Sequence, residues 1–317
     1  MTSLQEVRAR FTPDQGLPFA DALTELHIRA ALTDHGVQYR DRLFNPSTTI
    51  WGFLSQVLSE DPSCRDTVSR IIAHRAAARL PVGSAHTASS CNARARLPTS
   101  VLRTLAKRTA QQLQDSLPEG WKWNGRSVFI ADGSHVSMPD TEENPARYPQ
   151  PAVQKPGLGF PLARVAVLLS LASGACHDLA IASYAGKGTG ETTRVRELYD
   201  VLAPGDVVLA DALFDNYFVA CALRQRGLEL VARVQAERVG TRTVESRPDG
   251  DVIVWHRPNK PHGMTGEKYR TYPGSLTLRQ ISVDARACNN RVERFKVITT
   301  ILDAAIDGGQ IGQLFEQ

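Results

Sequence analysis

The sequence predicts an α/β protein in which a basic helical region precedes a mixed β-sheet. Up to residue 125, apolar residues recur at spacings of three and four, which is typical of helices. From residue 125 onward, short runs rich in Val, Leu and Ile alternate with helical segments, which is the pattern of a sheet with crossover helices. We therefore expect a helical region over residues 1–125 and a sheet in the remainder of the chain.

Three helices are predicted in the first region from their start signals. Ser47 is expected to cap the first helix, the pair Asp61 and Pro62 to open the second, and Thr99 to open the third. Short helices that carry arginines and are joined by turns are a common way to present a helix to DNA. A helical cap on a larger domain would look similar.

The next hundred residues predict the order strand, strand, strand, helix, strand, helix, strand. The expected strands are 127–131, 162–172, 176–184, 206–210 and 228–234, and the expected helices are 191–202 and 216–226. This is the ribonuclease H-like order, in which three strands form a meander and the chain then crosses to a fourth strand beside the first. We expect a mixed five-stranded sheet within residues 126–234.

The remainder of the chain predicts more strands and an incomplete end. Residues 235–290 are expected to be a strand-rich insertion, and 291–317 a return strand followed by the start of a helix. That helix shows no completed apolar face. We therefore expect the chain to stop in mid-domain, with a truncated C-terminus.

The net charge of +4 is small, but its distribution is uneven. Residues 62–112 contain nine Arg and Lys residues and one acid, so the net charge of this segment is nine minus one, or +8. Such a block attracts polyanions and gains free energy from counterion release on phosphates. A solvated basic helix face is the alternative. The side chains assigned to DNA contact are Arg70, Arg75, Arg94, Arg96, Arg103, Lys107, Lys155 and Lys187.

Several other classes of protein have no support in the sequence. The five cysteines are scattered without a CxxC pair, and the eight histidines show no HExxH spacing, so we expect buried, reduced thiols without a catalytic role and no zinc site. The first ten residues lack a signal-peptide pattern, and no run of about 18 apolar residues occurs. We expect a cytoplasmic protein with no membrane role.

Two acids follow apolar strands. Asp132 comes after residues 127–131, and Asp211 after residues 206–210. Two carboxylates brought together repel each other, and a divalent metal relieves that repulsion. Hard oxygen ligands select Mg²⁺ or Mn²⁺, and two such ions can activate the nucleophile and stabilise the leaving oxygen of a phosphodiester. The alternative is a pair of turn residues at the ends of strands.

A set of motifs in order makes residues 129–235 resemble a known family. The matching motifs are Ala131-Asp132-Gly133-Ser134, Met138-Pro139-Asp140-Thr141, Gln154-Lys155-Pro156-Gly157, Tyr184-Ala185-Gly186-Lys187-Gly188-Thr189-Gly190-Glu191 and Leu209-Ala210-Asp211. They are similar to those of the DDE transposases of bacterial insertion sequences in the family conventionally numbered four, whose catalytic domain is ribonuclease H-like. The N-terminal residues 51–98 are similar as well.

The resemblance implies roles for particular residues and partners. Asp132 would be the first catalytic, metal-binding acid and Asp211 the second, with two Mg²⁺ or Mn²⁺ ions in intact relatives. One partner would be double-stranded DNA, in the form of the terminal repeats and the target. The other would be a second copy of this chain, which would form a homodimer on the DNA. The reaction would be strand cleavage and strand transfer, without a covalent protein intermediate.

The sequence departs from the family pattern at two places. Ala212 stands where relatives often have arginine after the second acid. The third acid of the family is a glutamate in a Y-x-x-R-W-x-x-E motif, and the chain ends within what resembles the start of this motif, at Leu314-Phe315-Glu316-Gln317. Glu316 occupies a spacer position, so the resemblance implies that the third catalytic carboxylate is missing. The open alternatives are a catalytically dead DNA-binding remnant and a nuclease that cuts without rejoining.

Overall fold

The structure is a computed structural model that describes residues 23–151, 155, 157–186, 189–235, 241–286 and 292–315. Its contacts divide the chain into two compact units, Met1–Thr109 and Ala110–Gln317. Lys187 and Glu316 lie outside the described residues. Within the described part, no helix has the length and apolar character needed to cross a membrane.

The first unit is built from helices. They are α1 (Glu25–Asp34), α2 (Pro46–Leu58), α3 (Cys64–Ala77), α4 (Thr87–Arg96) and α5 (Thr99–Asp115), the last of which continues into the second unit. Their shared core contains Ile28, Leu32, Ile50, Val101 and Leu105. The sequence predicted α2, α3 and α5 but missed α1 and α4. Only two residues of α4 are buried, Ser90 and Ala93, so its apolar periodicity is weak.

Two of the predicted caps were wrong by two residues. Asn45, rather than Ser47, caps α2, because its side-chain oxygen accepts the Thr48 N–H at 2.9 Å. Ser63, rather than Asp61, caps α3, and the Asp61 carboxylate instead accepts the Ser63 N–H at 2.9 Å. In both places several capping residues follow one another, and only the backbone geometry selects which of them caps the helix.

The second unit contains one mixed sheet of nine strands among the described residues. Its order is β3-β2-β1-β4-β5-β9-β8-β7-β6. The strands are β1 (Val128–Ser137), β2 (Leu162–Ser170), β3 (Cys176–Ser183), β4 (Val207–Ala210), β5 (Glu229–Arg233), β6 (Arg242–Glu245), β7 (Asp251–His256), β8 (Ser275–Arg286) and β9 (Val292–Thr299). The predicted meander and the placement of β4 beside and parallel to β1 are confirmed.

The expectation of a five-stranded sheet was wrong, because the predicted insertion continues the same sheet. β9 pairs antiparallel with β5, with Val231 opposite Thr299, and β8, β7 and β6 follow outward. Pairing with β9 satisfies the backbone groups that β5 would otherwise leave open at an edge. The four strands beyond β5 therefore extend the sheet.

Short helices connect or cover the strands. They are α6 (Glu143–Arg147), α7 (Glu191–Arg196), α8 (Tyr217–Arg224), α9 (Gly266–Arg270) and α10 (Gly308–Gln313). The helix expected over residues 191–202 ends at Arg196, and a separate 3₁₀ turn follows at Tyr199–Val201. A second 3₁₀ turn, Ala212–Phe214, follows β4 directly.

The two faces of the sheet carry separate apolar clusters. Val195 of α7 and most of α8 pack on one face, whereas Ile306, Ile311 and Leu314 pack on the other. The expectation that the C-terminal segment lacks a completed apolar face was wrong, since these three side chains are buried. Arg279 of β8 is buried, and its Nη1 donates a hydrogen bond to the Ile306 carbonyl at 2.6 Å, which also holds this segment.

Candidate active site

The two predicted catalytic acids directly follow a pair of residues on two neighbouring parallel strands. Ala131 of β1 is in register with Ala210 of β4, so the next residues, Asp132 and Asp211, continue the same alignment. Parallel strands are about 4.8 Å apart. Both alanines are buried and both aspartates are exposed. The two acids therefore occupy adjacent positions where the buried parts of the two strands end.

Asp132 does not end its strand, contrary to the sequence prediction. β1 runs five residues further, to Ser137, and stays paired with β2 over that length. What changes at Asp132 is burial, because most residues beyond it are exposed. β4 does end directly before Asp211. The apolar run therefore predicted the limit of the core rather than the limit of the strand.

Backbone N–H groups hold both aspartates. The Oδ1 atom of Asp132 accepts the Gly133 N–H at 2.7 Å. The Oδ1 atom of Asp211 accepts the Leu213 N–H at 2.9 Å and caps the 3₁₀ turn that follows β4. Both carboxylates are thus oriented by their own local backbone.

A third acid, Glu191, joins this pair. Burial raises its pKa above the ordinary value, and the negative charges of Asp211 and Asp132 raise it further. Its side chain lies on Gly133, where a β-carbon would stand 2.2 Å from the Glu191 Cδ. Glu191 at the start of α7 therefore lies close to Asp132, within β1, and to Asp211, just after β4.

The sequence analysis missed Glu191, although a topological signal was present. β3 runs antiparallel to β2, which runs antiparallel to β1, so β3 and β1 point the same way. The segment that leaves β3 therefore starts at the edge toward which β1 and β4 run. Glu191 is the first residue of the helix on that segment.

Arg164 brings a positive charge to Glu191 and lowers its pKa, against the larger raising effects. Its guanidinium lies 5.3 Å from the centre of the Tyr184 ring, and its Nη1 donates to the Thr189 carbonyl at 3.2 Å. His135 lies opposite Arg164 in the β1–β2 register. Its ring packs edge-on against the Tyr184 ring, with 4.9 Å between the two ring centres. These contacts join His135 and Arg164 through the Tyr184 ring.

The chemistry of these side chains fits a hard divalent cation, although their present arrangement does not enclose one. Carboxylate oxygens are the ligands that Mg²⁺ and Mn²⁺ prefer, and a cation would offset the repulsion expressed in the raised pKa of Glu191. Within the residues that the structure describes, no three acidic, His or Cys side chains are gathered closely enough to hold a metal ion.

Three of the basic residues assigned to DNA contact have partners in the first unit. Arg70 forms an ion pair with Asp66 at 2.7 Å, and the Nε of Arg75 donates to the Pro81 carbonyl at 2.9 Å. The Nη1 of Arg94 donates a hydrogen bond to the Gln56 Oε1 at 2.6 Å. These side chains therefore also stabilise the helical unit.

The other assigned basic residues differ in exposure. Arg96 at the end of α4 and Arg103 on α5 are exposed, whereas Lys107 is half-buried. Lys155, in the connection between β1 and β2, is exposed, and Lys187 lies outside the described residues. In unit Met1–Thr109, the assigned cations Arg70, Arg94, Arg96 and Arg103 are all exposed.

No family model matches the sequence, and no curated protein matches it.

Proposed function

We propose that this chain carries out metal-dependent cleavage and transfer of DNA strands, as a DDE transposase with a ribonuclease H-like core in residues 126–234. One observation carries the proposal: Asp132 and Asp211 directly follow Ala131 and Ala210, which are paired on two parallel strands, and the Glu191 side chain lies against Gly133, next to Asp132. The strand order β3-β2-β1-β4-β5 also supports the assignment of the core.

Asp132 and Asp211 would hold Mg²⁺ or Mn²⁺, with Glu191 as a third oxygen ligand. When bound, the cations supply activation of water or a 3′ hydroxyl and stabilisation of the leaving oxygen. In this structure both aspartates accept hydrogen bonds from backbone N–H groups. Their side chains would have to rotate away from these bonds for the two carboxylates to converge on a cation. Gly133 leaves the space that Glu191 occupies beside them.

Glu191 changes the expectation for activity. The resemblance assigns only two catalytic acids to this chain, Asp132 and Asp211. A carboxylate from α7 offers a different third ligand within the described residues. Arg164 would favour the ionised form of Glu191, although burial and the two aspartates together raise its pKa by more.

The basic segment 62–112 would bind the DNA backbone. Its charge of +8, nine cations minus one acid, favours contact with phosphates rather than base edges. The proposed partners are double-stranded terminal repeats and target DNA, bound by a homodimer in the cytoplasm. The exposed side chains Arg96 and Arg103 are the first candidates for these contacts.

Nicking of supercoiled plasmid and transfer of a labelled terminal duplex, each with Mn²⁺, test the proposal. We expect activity in the purified chain and a loss of about 100-fold or more in Asp132→Asn, Asp211→Asn and Glu191→Gln, because each removes one positioned charge. Glu267→Gln, which changes an exposed acid on α9, is the matched control.

The remaining outcomes separate the alternatives. Cleavage without strand transfer would identify a nuclease, and DNA binding without any cleavage would identify a remnant. Full activity in Glu191→Gln, with loss in both aspartate variants, would remove Glu191 from the site and leave the two aspartates in it.

A further inference from the structure

Two cysteines of the helical unit lie next to each other. Cys64 is the first residue of α3, and Cys91 lies in α4, 27 residues later. Their sulfur atoms are 3.8 Å apart, and both thiols are free. The sequence alone shows no reason to pair them, because their spacing matches no motif.

We propose that Cys64 and Cys91 form a redox modification site that closes to an intramolecular disulfide when the protein meets a peroxide. The inference is independent of the proposed DNA chemistry. A disulfide needs the sulfur atoms to approach to about 2.05 Å, a change that side-chain rotation and small shifts of two surface helices can supply. The segment between the two helices, residues 78–86, is irregular and contains Pro81 and Gly83.

Access favours Cys91 as the first thiol to react. Cys91 is exposed, whereas Cys64 is half-buried. The hydrogen bond that Cys91 donates to Cys64 raises the pKa of the Cys91 thiol, and nearby Arg94 acts in the opposite direction. The bond to Cys64 keeps the second sulfur close to the first while the first one reacts.

The reaction balances with hydrogen peroxide as oxidant. Peroxide oxidises the Cys91 sulfur to a sulfenic acid, and its second oxygen leaves as water. The Cys64 sulfur then attacks the sulfenic sulfur, forming the S–S bond and displacing a second water molecule that carries away the thiol proton. Two thiols lose two electrons and two protons, and one peroxide becomes two waters.

The other described cysteines provide internal controls. Burial raises the pKa of the Cys176 thiol and, more deeply in the core, that of Cys221. Both are also less accessible than Cys91, so both should react with peroxide more slowly. A bond between α3 and α4 would also fix Arg94 and Arg96 of α4 relative to α3.

The test treats the full chain with hydrogen peroxide under native conditions and then maps peptides by mass spectrometry without reduction. We expect a cross-linked peptide pair containing Cys64 and Cys91, reversible by dithiothreitol. The count of free thiols after unfolding should fall from five to three, because one disulfide consumes two. The unfolding temperature should rise by several degrees, since the bond constrains the unfolded chain.

Single variants make the test decisive. In Cys64→Ser, and in Cys64→Ala if the serine variant folds poorly, dimedone should label a sulfenic acid on Cys91 and no cross-linked pair should form. The proposal is overturned if the unmodified sequence shows Cys91 oxidised to sulfinic acid beside a free Cys64. It is equally overturned if Cys91 links two copies of the chain instead.

Discussion

The side chain of Glu191 lies directly against the α-carbon of Gly133. A β-carbon at position 133 would stand 2.2 Å from the Glu191 Cδ and 2.5 Å from its Oε2. Gly133 follows Asp132 on β1, so the absence of a side chain there lets a carboxylate from α7 approach the acid pair. This contact brings α7 close to Asp132 on β1 and to Asp211 just after β4. The sequence had not connected this helix with catalysis.

Gly133→Ala should displace Glu191 while the protein still folds, because the atoms it meets are the end of a flexible side chain. A displacement of about 1 Å at a reacting centre can cost about 100-fold in rate. We expect a comparable loss of Mn²⁺-dependent cleavage and weaker Mn²⁺ binding by calorimetry. Gly274→Ala is the control, since a β-carbon there meets nothing within 4 Å. Equal activity of the two variants would contradict the role given to this contact.

Glu191 should make the protein less stable as the pH rises. Its pKa in the folded protein lies above the ordinary value of 4.5, chiefly through burial and then through Asp211 and Asp132. The folded state therefore binds more protons than the unfolded state between pH 4.5 and the folded pKa, and stability falls as the pH rises through that window.

Urea unfolding at a series of pH values checks this effect. Glu191→Gln should be more stable than the unmodified protein at neutral pH, and the difference should vanish below pH 4.5. Glu267→Gln should leave the pH profile unchanged. A Glu191→Gln protein that is less stable at neutral pH would show that the carboxylate is held by favourable contacts instead.

Arg279 should be essential to the attachment of the C-terminal segment. It is fully buried, pairs with the Asp249 carboxylate and donates to the Ile306 carbonyl at 2.6 Å. Arg279→Leu leaves the partly exposed Asp249 carboxylate and the Ile306 carbonyl without this donor, which should cost about 1–3 kcal/mol. Chemical denaturation should show this loss, and hydrogen exchange should show faster exchange around Ile311.

The control for Arg279 is an exposed pair of the same type. Arg294 pairs with Asp284 while both side chains remain largely exposed. Arg294→Leu should leave the free energy of unfolding nearly unchanged, because solvent screens such exposed pairs. Similar costs for the two variants would mean that the buried pair contributes no more than a surface one.

DNA affinity should fall steeply with salt if segment 62–112 binds phosphates. With six contacts, the affinity should decrease by a factor of about 1000 between about 50 and 200 mM salt. Arg96→Gln should reduce the slope of log affinity against log salt by about one, and Arg294→Gln should leave it unchanged. Fluorescence anisotropy with a labelled duplex measures both. A flat profile would point to a protein partner for this segment.

Sequence reasoning placed Asp132 and Asp211 beside each other because two apolar runs end at them and the strand order makes those runs neighbours. The same reasoning located β2 to β5 within two residues of their ends, but it ended β1 six residues too early. It could not show that β9 would pair with β5, since that pairing joins Val231 to Thr299 across a long stretch of chain. Apolar runs report that a segment is buried, but not which strand lies beside it.

By itself, the sequence determined the local features of this protein: its strands and most of its helices, its basic N-terminal segment and its two acids after apolar runs. The tertiary structure decided the nine-stranded sheet, the contact between Glu191 and Gly133, and the approach of Cys64 to Cys91. The physical reason is distance along the chain. Periodicity and caps arise from neighbours within a few residues, whereas register and side-chain contacts depend on how distant segments pack.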